Sequence, residues 1–343
     1  MGADYDALIT VNNIFEAWIE FRRGKRRKID VQRFERHLED NLYDLYFDLK
    51  NKTYKHSSYQ SFYVHDPKQR HIHKASVRDR VVHHLLYTYL YEVFDKSFLY
   101  DSYSCRIDKG THRGIVRLVK ITRKISQNYT KPCWVLKCDV KKFFASVDHE
   151  VLLKILEKKI SDKTILWLLK EVTYSFHSYM GKGKGIPLGN LTSQVFANIY
   201  LNELDQYVKH VIKVKHYIRY ADDFLFVSDN KKELEHYVQL VGEFLQNTLN
   251  LQLHPQKIIL RKLNWGIDFL GYIVLPHYIL PRTKTKKRMF KKLHSQIQLH
   301  KKGELAFEKL NQTTQSYLGY LSHSNSYNLT KELKNQIWFW LTE

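Results

Sequence analysis

Val31, Phe34, Leu38, Leu42, Leu45 and Leu49 recur in steps of three or four, which predicts one amphipathic helix over residues 31–50. "SFYVHDPKQRHIH" (61–73) reads instead as strand-like segments around a turn at Asp66-Pro67. "RDRVVHHLLYTYLYEVF" returns to the helical period. "CWVLKCDVKKFFASVD" (133–148) starts as a buried strand and ends in a turn, and Asp148 is placed to cap a helix over "HEVLLKILEKKI". Another helix fits 162–176. "SQVFANIYLNELDQYVKHVI" reads as amphipathic, with Phe196, Tyr200, Leu204 and Val208 on one stripe. "KHYIRYADDFLFVSDN" has β-rich flanks on both sides of Ala221-Asp222-Asp223, so a hairpin with carboxylates at its tip is expected. A helix over about 231–248 follows, then strands in "LQLHPQKIILRKL" and "IDFLGYIVL", then helices to Glu343.

Composition changes this picture in one respect, the choice of partner. Lys and Arg number 56 against 35 Asp and Glu, a formal charge of +21 over 343 residues. Nucleic acid is the first candidate partner and an anionic membrane surface the second. No apolar run reaches bilayer length, so no membrane association is expected. Asp4, Asp6 and Glu16 interrupt any secretory signal, and Cys105, Cys133 and Cys138 form no paired motif. Free thiols and a cytoplasmic location are the expectation. Residues 281–302 hold nine Lys or Arg and no acid, which suggests a domain boundary near 281. The cluster from Lys25 to Lys28 reads as a solvated loop or a phosphate contact. His71, His73, His83 and His84 lack metal-motif spacing and read as structural or nucleic-acid-facing.

Asp222 and Asp223 stand side by side within apolar flanks, and Asp139 ends a buried strand 83 residues upstream. Two adjacent carboxylates can be an ordinary polar turn. Partial burial makes it costly to ionise both, and a divalent cation resolves that cost. Mg²⁺ takes one or two carboxylates and completes its octahedron with water and phosphate oxygens. A third carboxylate would complete a two-metal site for phosphoryl transfer, with Mn²⁺ able to substitute.

"RYADDF" resembles the YxDD box of reverse transcriptases, and "CDVKKFFASVDH" their first catalytic-aspartate motif. "FLGY" (269–272) is similar to the segment that grips the primer, while "SFYVHDPKQRHI", "RDRVVHHLL" and "SYSCRIDKGTHRGI" resemble motifs of the bacterial branch. The match runs in order from about residue 58 to 281. It implies an α+β right-hand polymerase fold, with fingers, a palm of antiparallel sheet packed on helices, and a small helical thumb. The corresponding segments are an N-terminal helical extension (1–57), fingers and palm (58–281) and thumb (282–343). By resemblance Asp139, Val140, Asp222 and Asp223 would hold two Mg²⁺ ions, and Lys257 would protonate the leaving pyrophosphate. Lys68 and Arg70 would meet the dNTP triphosphate or remain surface cations. Phe144 would be the steric gate that excludes a ribose 2′-OH; otherwise it is core, as Phe143 is read to be. Arg78 and Arg80 would touch template, or one of them pairs with Asp79. Phe269, Leu270, Gly271 and Tyr272 would hold the primer. Lys286, Lys287 and Arg288 would line the RNA–DNA duplex.

"GIPLGNLTSQ" (185–194) narrows the resemblance. Most reverse transcriptases carry Gln-Gly followed by Ser-Pro here; this chain has Leu188, Gly189 and Gln194. That pattern is similar to diversity-generating retroelement enzymes, which copy a template RNA with errors mainly at adenines. Leu188 and Gly189 would then lie at the dNTP, and Gln194 at the template. Such enzymes work with a small basic ring-forming accessory protein. About 60 residues follow Pro281, room for a thumb without an RNase H domain. The alternatives are another bacterial reverse transcriptase, intron-related or antiphage, and an RNA-binding scaffold with an inactive site.

Overall fold

The computed structural model describes residues 5–66 and 68–343. Pro67, read as part of a turn, and residues 1–4 lie outside the described residues. Helices α1 (Tyr5–Leu8), α2 (Val11–Arg22), α3 (Ile29–Glu35) and α4 (Leu38–Lys50) lead into the hairpin β1 (Gln60–Val64) and β2 (Arg70–Lys74). Then come α5 (Val77–Phe94), α6 (Thr111–Ile125), β3 (Trp134–Asp139), α7 (Phe143–Ser146), α8 (His149–Glu157), α9 (Lys163–Tyr174) and α10 (Leu191–Gln206). The chain continues through β4 (Tyr217–Tyr220), β5 (Asp223–Ser228), α11 (Lys231–Leu249), β6 (Ile259–Lys262), β7 (Ile267–Phe269), β8 (Tyr272–Leu275) and β9 (Tyr278–Pro281). It closes with α12 (Thr283–Lys301), α13 (Phe307–Leu321) and α14 (Tyr327–Thr342). This is an α+β fold whose central sheet has the order β4-β5-β3-β6. Among the described residues no helix is long and apolar enough to cross a membrane.

Several expected elements change on folding. The single helix over 31–50 is two, because His37 leaves helical geometry (φ −126°, ψ 51°) and Asn41 Nδ2 donates to the Phe34 carbonyl at 3.0 Å. The buried stripe survives the break through Val31, Leu42, Leu45 and Leu49. Helix α10 is not amphipathic: it is buried on most of its circumference, including Thr192, Ser193, Asn198, Asn202 and Asp205. A helix enclosed in this way must satisfy its polar groups inside the protein. Residues 251–257 are not strand, since a single helical turn at Pro255–Lys257 precedes β6. "FLGY" is a turn between β7 and β8, with Leu270 and Gly271 at positive φ. Strand β9 was not read from the sequence.

By its internal contacts the chain divides into two compact units. The first comprises the described residues up to Asp108, with Cys138–Phe224 and Tyr237–Ile258. Its core is built from α2, α5 and α10, with Trp18, Phe21, Leu86, Tyr200 and Leu204 all essentially without exposed surface. The second comprises Lys109–Lys137, Leu225–His236 and Ile259–Glu343. Within it, β3 pairs with β6 from Trp134↔Lys262 to Lys137↔Ile259, and β7, β8 and β9 form an antiparallel meander. Helices α12–α14 enclose their own core of Met289, Leu293, Ile297, Leu310, Leu321 and Leu333.

Candidate active site

The first unit brings the predicted carboxylates together. Strand β3 delivers Asp139 at its C-terminal end, and the two-residue turn between β4 and β5 carries Asp222, with Asp223 opening β5. The Val140 N–H donates to the Asp222 carbonyl at 3.3 Å, which ties the strand end to the hairpin tip. Val140 itself buries its side chain, so only its backbone is available to a ligand. The Lys257 Nζ lies 2.7 Å from Asp139 Oδ1, and the His254 N–H donates to the Asp139 carbonyl at 2.8 Å. Burial, and then the charge of Asp139, push the Asp222 carboxyl up to about 6; Asp223 adds to the rise and Lys257 opposes it. Among the described residues no group of three or more His, Cys, Asp or Glu side chains is arranged so that it could hold a metal ion. The donor chemistry still suits Mg²⁺, which needs only one or two carboxylates and keeps several waters.

The hairpin tip is held from behind by groups that sequence reasoning missed. Ala221 has φ 52°, a left-handed conformation that costs a residue bearing a Cβ roughly 1–2 kcal/mol. Its carbonyl accepts from Arg219 Nη1 at 3.2 Å. Arg219 is wholly buried and forms a forked pair with Asp205 on α10, Nε to Oδ1 at 2.8 Å and Nη2 to Oδ2 at 2.6 Å. The Tyr217 hydroxyl donates to Asp205 at 2.8 Å, and Asn198 accepts from Arg219 at 3.2 Å. Asn198 in turn donates to the Ser104 carbonyl at 2.8 Å, while the Arg219 backbone exchanges hydrogen bonds with Asp101 and Tyr103. No sequence signal marked the pair, since Asp205 lies on a helix rich in polar residues and Arg219 is one cation among 56.

"GIPLGN" links the Phe144–Val147 segment to the β1–β2 hairpin. The Ile186 N–H donates to the Phe144 carbonyl at 2.8 Å and the Gly185 N–H to that of Val147 at 2.7 Å. At the other end, the Leu188 carbonyl accepts from His73 N–H at 3.0 Å, and Asn190 Nδ2 donates to the His73 carbonyl at 2.7 Å. Both glycines are required by space as well as by φ. A Cβ at Gly185 (φ 93°) would meet Ser178 Cβ at 2.6 Å, and one at Gly189 (φ 109°) would meet Ile72 Cγ2 at 2.7 Å. Phe144 and Leu188 are half-buried, whereas Phe143 is core.

Residues 55–274 match the family described as reverse transcriptase (RNA-dependent DNA polymerase). The chain belongs to the reverse transcriptase family. It is 27% identical over 241 residues to protein YkfC of Escherichia coli, covering 60% of this chain and 63% of that one. Over 303 residues it is 20% identical to the group II intron-encoded protein LtrA of Lactococcus lactis, covering 68% and 49%. A putative COX1/OXI3 intron 2 protein of Saccharomyces cerevisiae is 22% identical over 276 residues, covering 63% and 31%. The chain thus spans between 31 and 63% of the length of these relatives. Apo telomerase of Candida tropicalis, truncated from its C-terminal domain, shares the fold with TM-score 0.50 at 11% identity, covering 72% of this chain and 60% of that one.

In this reverse transcriptase the remaining predicted residues are placed unevenly. Lys68 and Arg70 are exposed beside and within the β1–β2 hairpin. Arg78 and Arg80 are half-buried and already paired, with Asp48 and Asp30 respectively. Neither pairs with Asp79, which accepts from Tyr54, Ser57 and Ser76 instead. Gln194 is exposed on the first turns of α10, while Ser193 Oγ donates to the Pro187 carbonyl at 2.7 Å. In the second unit Phe269 and Tyr272 are buried, so only the Leu270-Gly271 turn presents "FLGY" to a ligand. The Tyr320 hydroxyl donates to the Gly271 carbonyl at 2.6 Å. On α12, Lys286 faces Glu332 at 3.3 Å, whereas Lys287 and Arg288 are exposed. Burial pushes the Cys133 and Cys138 thiols up to about 12, in keeping with inert free cysteines.

Proposed function

We propose that this chain is an RNA-directed DNA polymerase of the diversity-generating type, copying a template RNA into cDNA with errors concentrated at adenines. The polymerase reading rests on Asp139, Asp222 and Asp223, converging at a strand end and a hairpin turn inside the family-matched region. In the reaction the primer 3′-oxygen bonds to the α-phosphorus of a dNTP, the bond to pyrophosphate breaks, and a proton moves from the 3′-hydroxyl to solvent. Lys257 donates a proton to the departing pyrophosphate. Two Mg²⁺ ions, held by the three aspartates with the Val140 backbone, supply charge for the phosphate oxygens when bound. Lys68 and Arg70 anchor the triphosphate, and the Phe144 ring excludes a 2′-hydroxyl. Gln194 and the Leu270-Gly271 turn contact template and primer, and Lys287 with Arg288 contacts the RNA–DNA duplex. Arg78 and Arg80 shape the template path through their acidic partners.

The diversity-generating reading rests on Leu188. Its carbonyl accepts from the His73 N–H, which fixes its backbone at the position where, by the resemblance, most reverse transcriptases carry a glutamine. A methyl-bearing side chain cannot hydrogen-bond, and one lost hydrogen bond is worth about 1 kcal/mol, several-fold in discrimination. The adenine bias and a basic ring-forming accessory protein follow from the resemblance. Primer extension on a defined RNA, with Asp222→Ala as control and sequencing of the cDNA, tests both parts. Loss of extension in Asp222→Ala, adenine-concentrated errors, and higher fidelity in Leu188→Gln are expected. Errors spread evenly over the four bases overturn the diversity-generating reading. They would favour a group II intron-like enzyme, which the LtrA and intron-protein relatives support.

A further inference from the structure

The second unit contains a cavity of about 400 Å³, within the range of small-ligand pockets, and built from groups that the polymerase reading does not use. Arg123, Asn128, Tyr129, His277, Tyr278 and Asn325 line it, over three aliphatic side chains from α6, β8 and β9. Two of its walls are held in backbone conformations that glycine adopts far more cheaply. Gln127, Asn128 and Tyr129 are three successive left-handed residues, with φ 48°, 57° and 69°. L-residues visit that region singly, and Tyr and Gln are poorly suited to it. The turn is clamped in place: the Asn128 N–H donates to the Arg123 carbonyl at 2.9 Å, and the Tyr129 N–H to Ser126 Oγ at 2.9 Å. Opposite it, β8 and β9 join through Pro276-His277, with Leu275 paired to Tyr278 and His277 at φ 66°. A turn with Pro followed by positive φ ordinarily takes Gly or Asn at that second position. Here it carries an imidazole. Strain of this kind is held by the surrounding structure and clusters at functional sites.

The side chains so presented have the chemistry of base recognition. The Tyr129 and His277 rings are 4.6 Å apart at 68°, and His277 and Tyr278 are 6.5 Å apart at 74°. A planar base stacked on one ring therefore turns its edge toward the next. Tyr278 is 58% exposed. Two amides stand at the rim. Asn128 Oδ1 accepts from Arg123 Nε at 2.7 Å and Asn325 Oδ1 accepts from the Ile279 N–H at 2.8 Å, leaving each Nδ2 without a protein partner among the described residues. The terminal guanidinium nitrogens of Arg123 are likewise without a protein partner there, a donor pair suited to a phosphate. Aromatic stacking, amide donors to base edges and an arginine for phosphate are how proteins hold unpaired RNA.

The geometry points to this cavity as a binding site for one unpaired nucleotide of single-stranded RNA, separate in sequence and in residues from the catalytic carboxylates. That the nucleotide belongs to RNA rests on the proposed polymerase reading. The test uses the full chain and a mixed-sequence single-stranded RNA carrying 5-iodouridine, photocrosslinked and mapped by mass spectrometry. Crosslinks at Tyr129, His277 or Tyr278 are expected. Tyr278→Ala and Tyr129→Gly should weaken RNA binding about ten-fold in fluorescence anisotropy, while Tyr278→Phe retains it. The glycine variant also relieves the positive φ, so weaker binding cannot be assigned to a strained fold. Millimolar UMP that competes for the crosslink without competing for RNA elsewhere would assign the site to free nucleotide and overturn the RNA assignment. Crosslinks confined to other residues, or variants that bind within two-fold of the parent, would overturn the site. Primer extension run in parallel separates the two readings: extension without crosslinks sinks only the cavity, and crosslinks without extension sink only the polymerase.

Discussion

Arg219 has no exposed surface, and its charge is answered by Asp205 inside the protein. Burial works against the guanidinium's charge, and Asp205 more than offsets it, leaving the arginine's pKa raised. Removing one member of such a pair strands the other charge, a cost of about 3–5 kcal/mol. Asp205→Asn should therefore lower stability by that order in thermal unfolding, and Arg219→Lys should lose polymerisation more than stability, because Lys cannot fork to Asp205 and still reach the Ala221 carbonyl. Equal retention of activity in Arg219→Lys would show that the hairpin tip does not depend on it. Asp222 gives a pH prediction of defined sign. Its pKa is raised from 3.8 to about 6, so the folded state holds the proton more tightly than the unfolded chain. That stabilisation is complete below about 3.8 and is lost as pH rises through about 6. Asp222→Asn should then stabilise the protein in EDTA at pH 7 by about 1–3 kcal/mol and do little at pH 4. A gain of the same size at both pH values would contradict it. The aspartates were legible because charges ending apolar strands are conspicuous. Arg219 was not, because one more cation among 56 carries no signal until its partner on another element is known.

Element boundaries were legible where the period was long and the caps were strong. Asp148 caps a helix as the sequence suggests, and Asp162 caps α9 in the same way, each accepting from the second and third N–H groups. The period alone could not reveal the break at His37, since two helices in line can keep one buried stripe. Nor could it show that α10 is enclosed, because polar residues such as Asn198 and Asp205 satisfy partners far away in sequence. β9 escaped because its hairpin turn, Pro276-His277, lacks the usual glycine. The loop 185–190 is where element geometry matters most, since it hydrogen-bonds the Phe144–Val147 segment at one end and β2 at the other. Gly185→Ala must displace Ser178, whose hydroxyl donates to the Ala145 carbonyl at 2.7 Å. Strained φ and overpacking together predict a loss of roughly 2–4 kcal/mol, with KM for dNTP rising as Phe144 shifts. Alanine at Gly24, where an added Cβ meets nothing within 4 Å, has only its positive φ to overcome and should cost less. Equal losses at the two positions in thermal unfolding would remove the loop's packing from the account.

At the scale of the whole molecule, a charge of +21 favours a polyanionic partner without saying where it would bind. Lysines contribute in proportion to how free they are to neutralise phosphate. Lys286 and Lys287 are neighbours on α12 with the same side-chain chemistry, yet Lys286 lies 3.3 Å from Glu332 while Lys287 is exposed. A lysine already facing a carboxylate neutralises less phosphate charge, so its contact releases fewer of the cations condensed on the duplex. Binding of an RNA–DNA duplex should weaken linearly in log–log salt, and each independent phosphate contact should contribute about one unit of slope. Lys287→Ala is expected to flatten that slope by about one unit and Lys286→Ala by clearly less, as read by anisotropy from 50 to 300 mM KCl. Glu332→Gln should then steepen the parent's slope, because it frees Lys286 without adding a cation. If Lys286→Ala and Lys287→Ala flatten the slope equally and Glu332→Gln leaves it unchanged, the duplex does not run along this face of α12. The basic surface that holds it would then lie on another element of this reverse transcriptase.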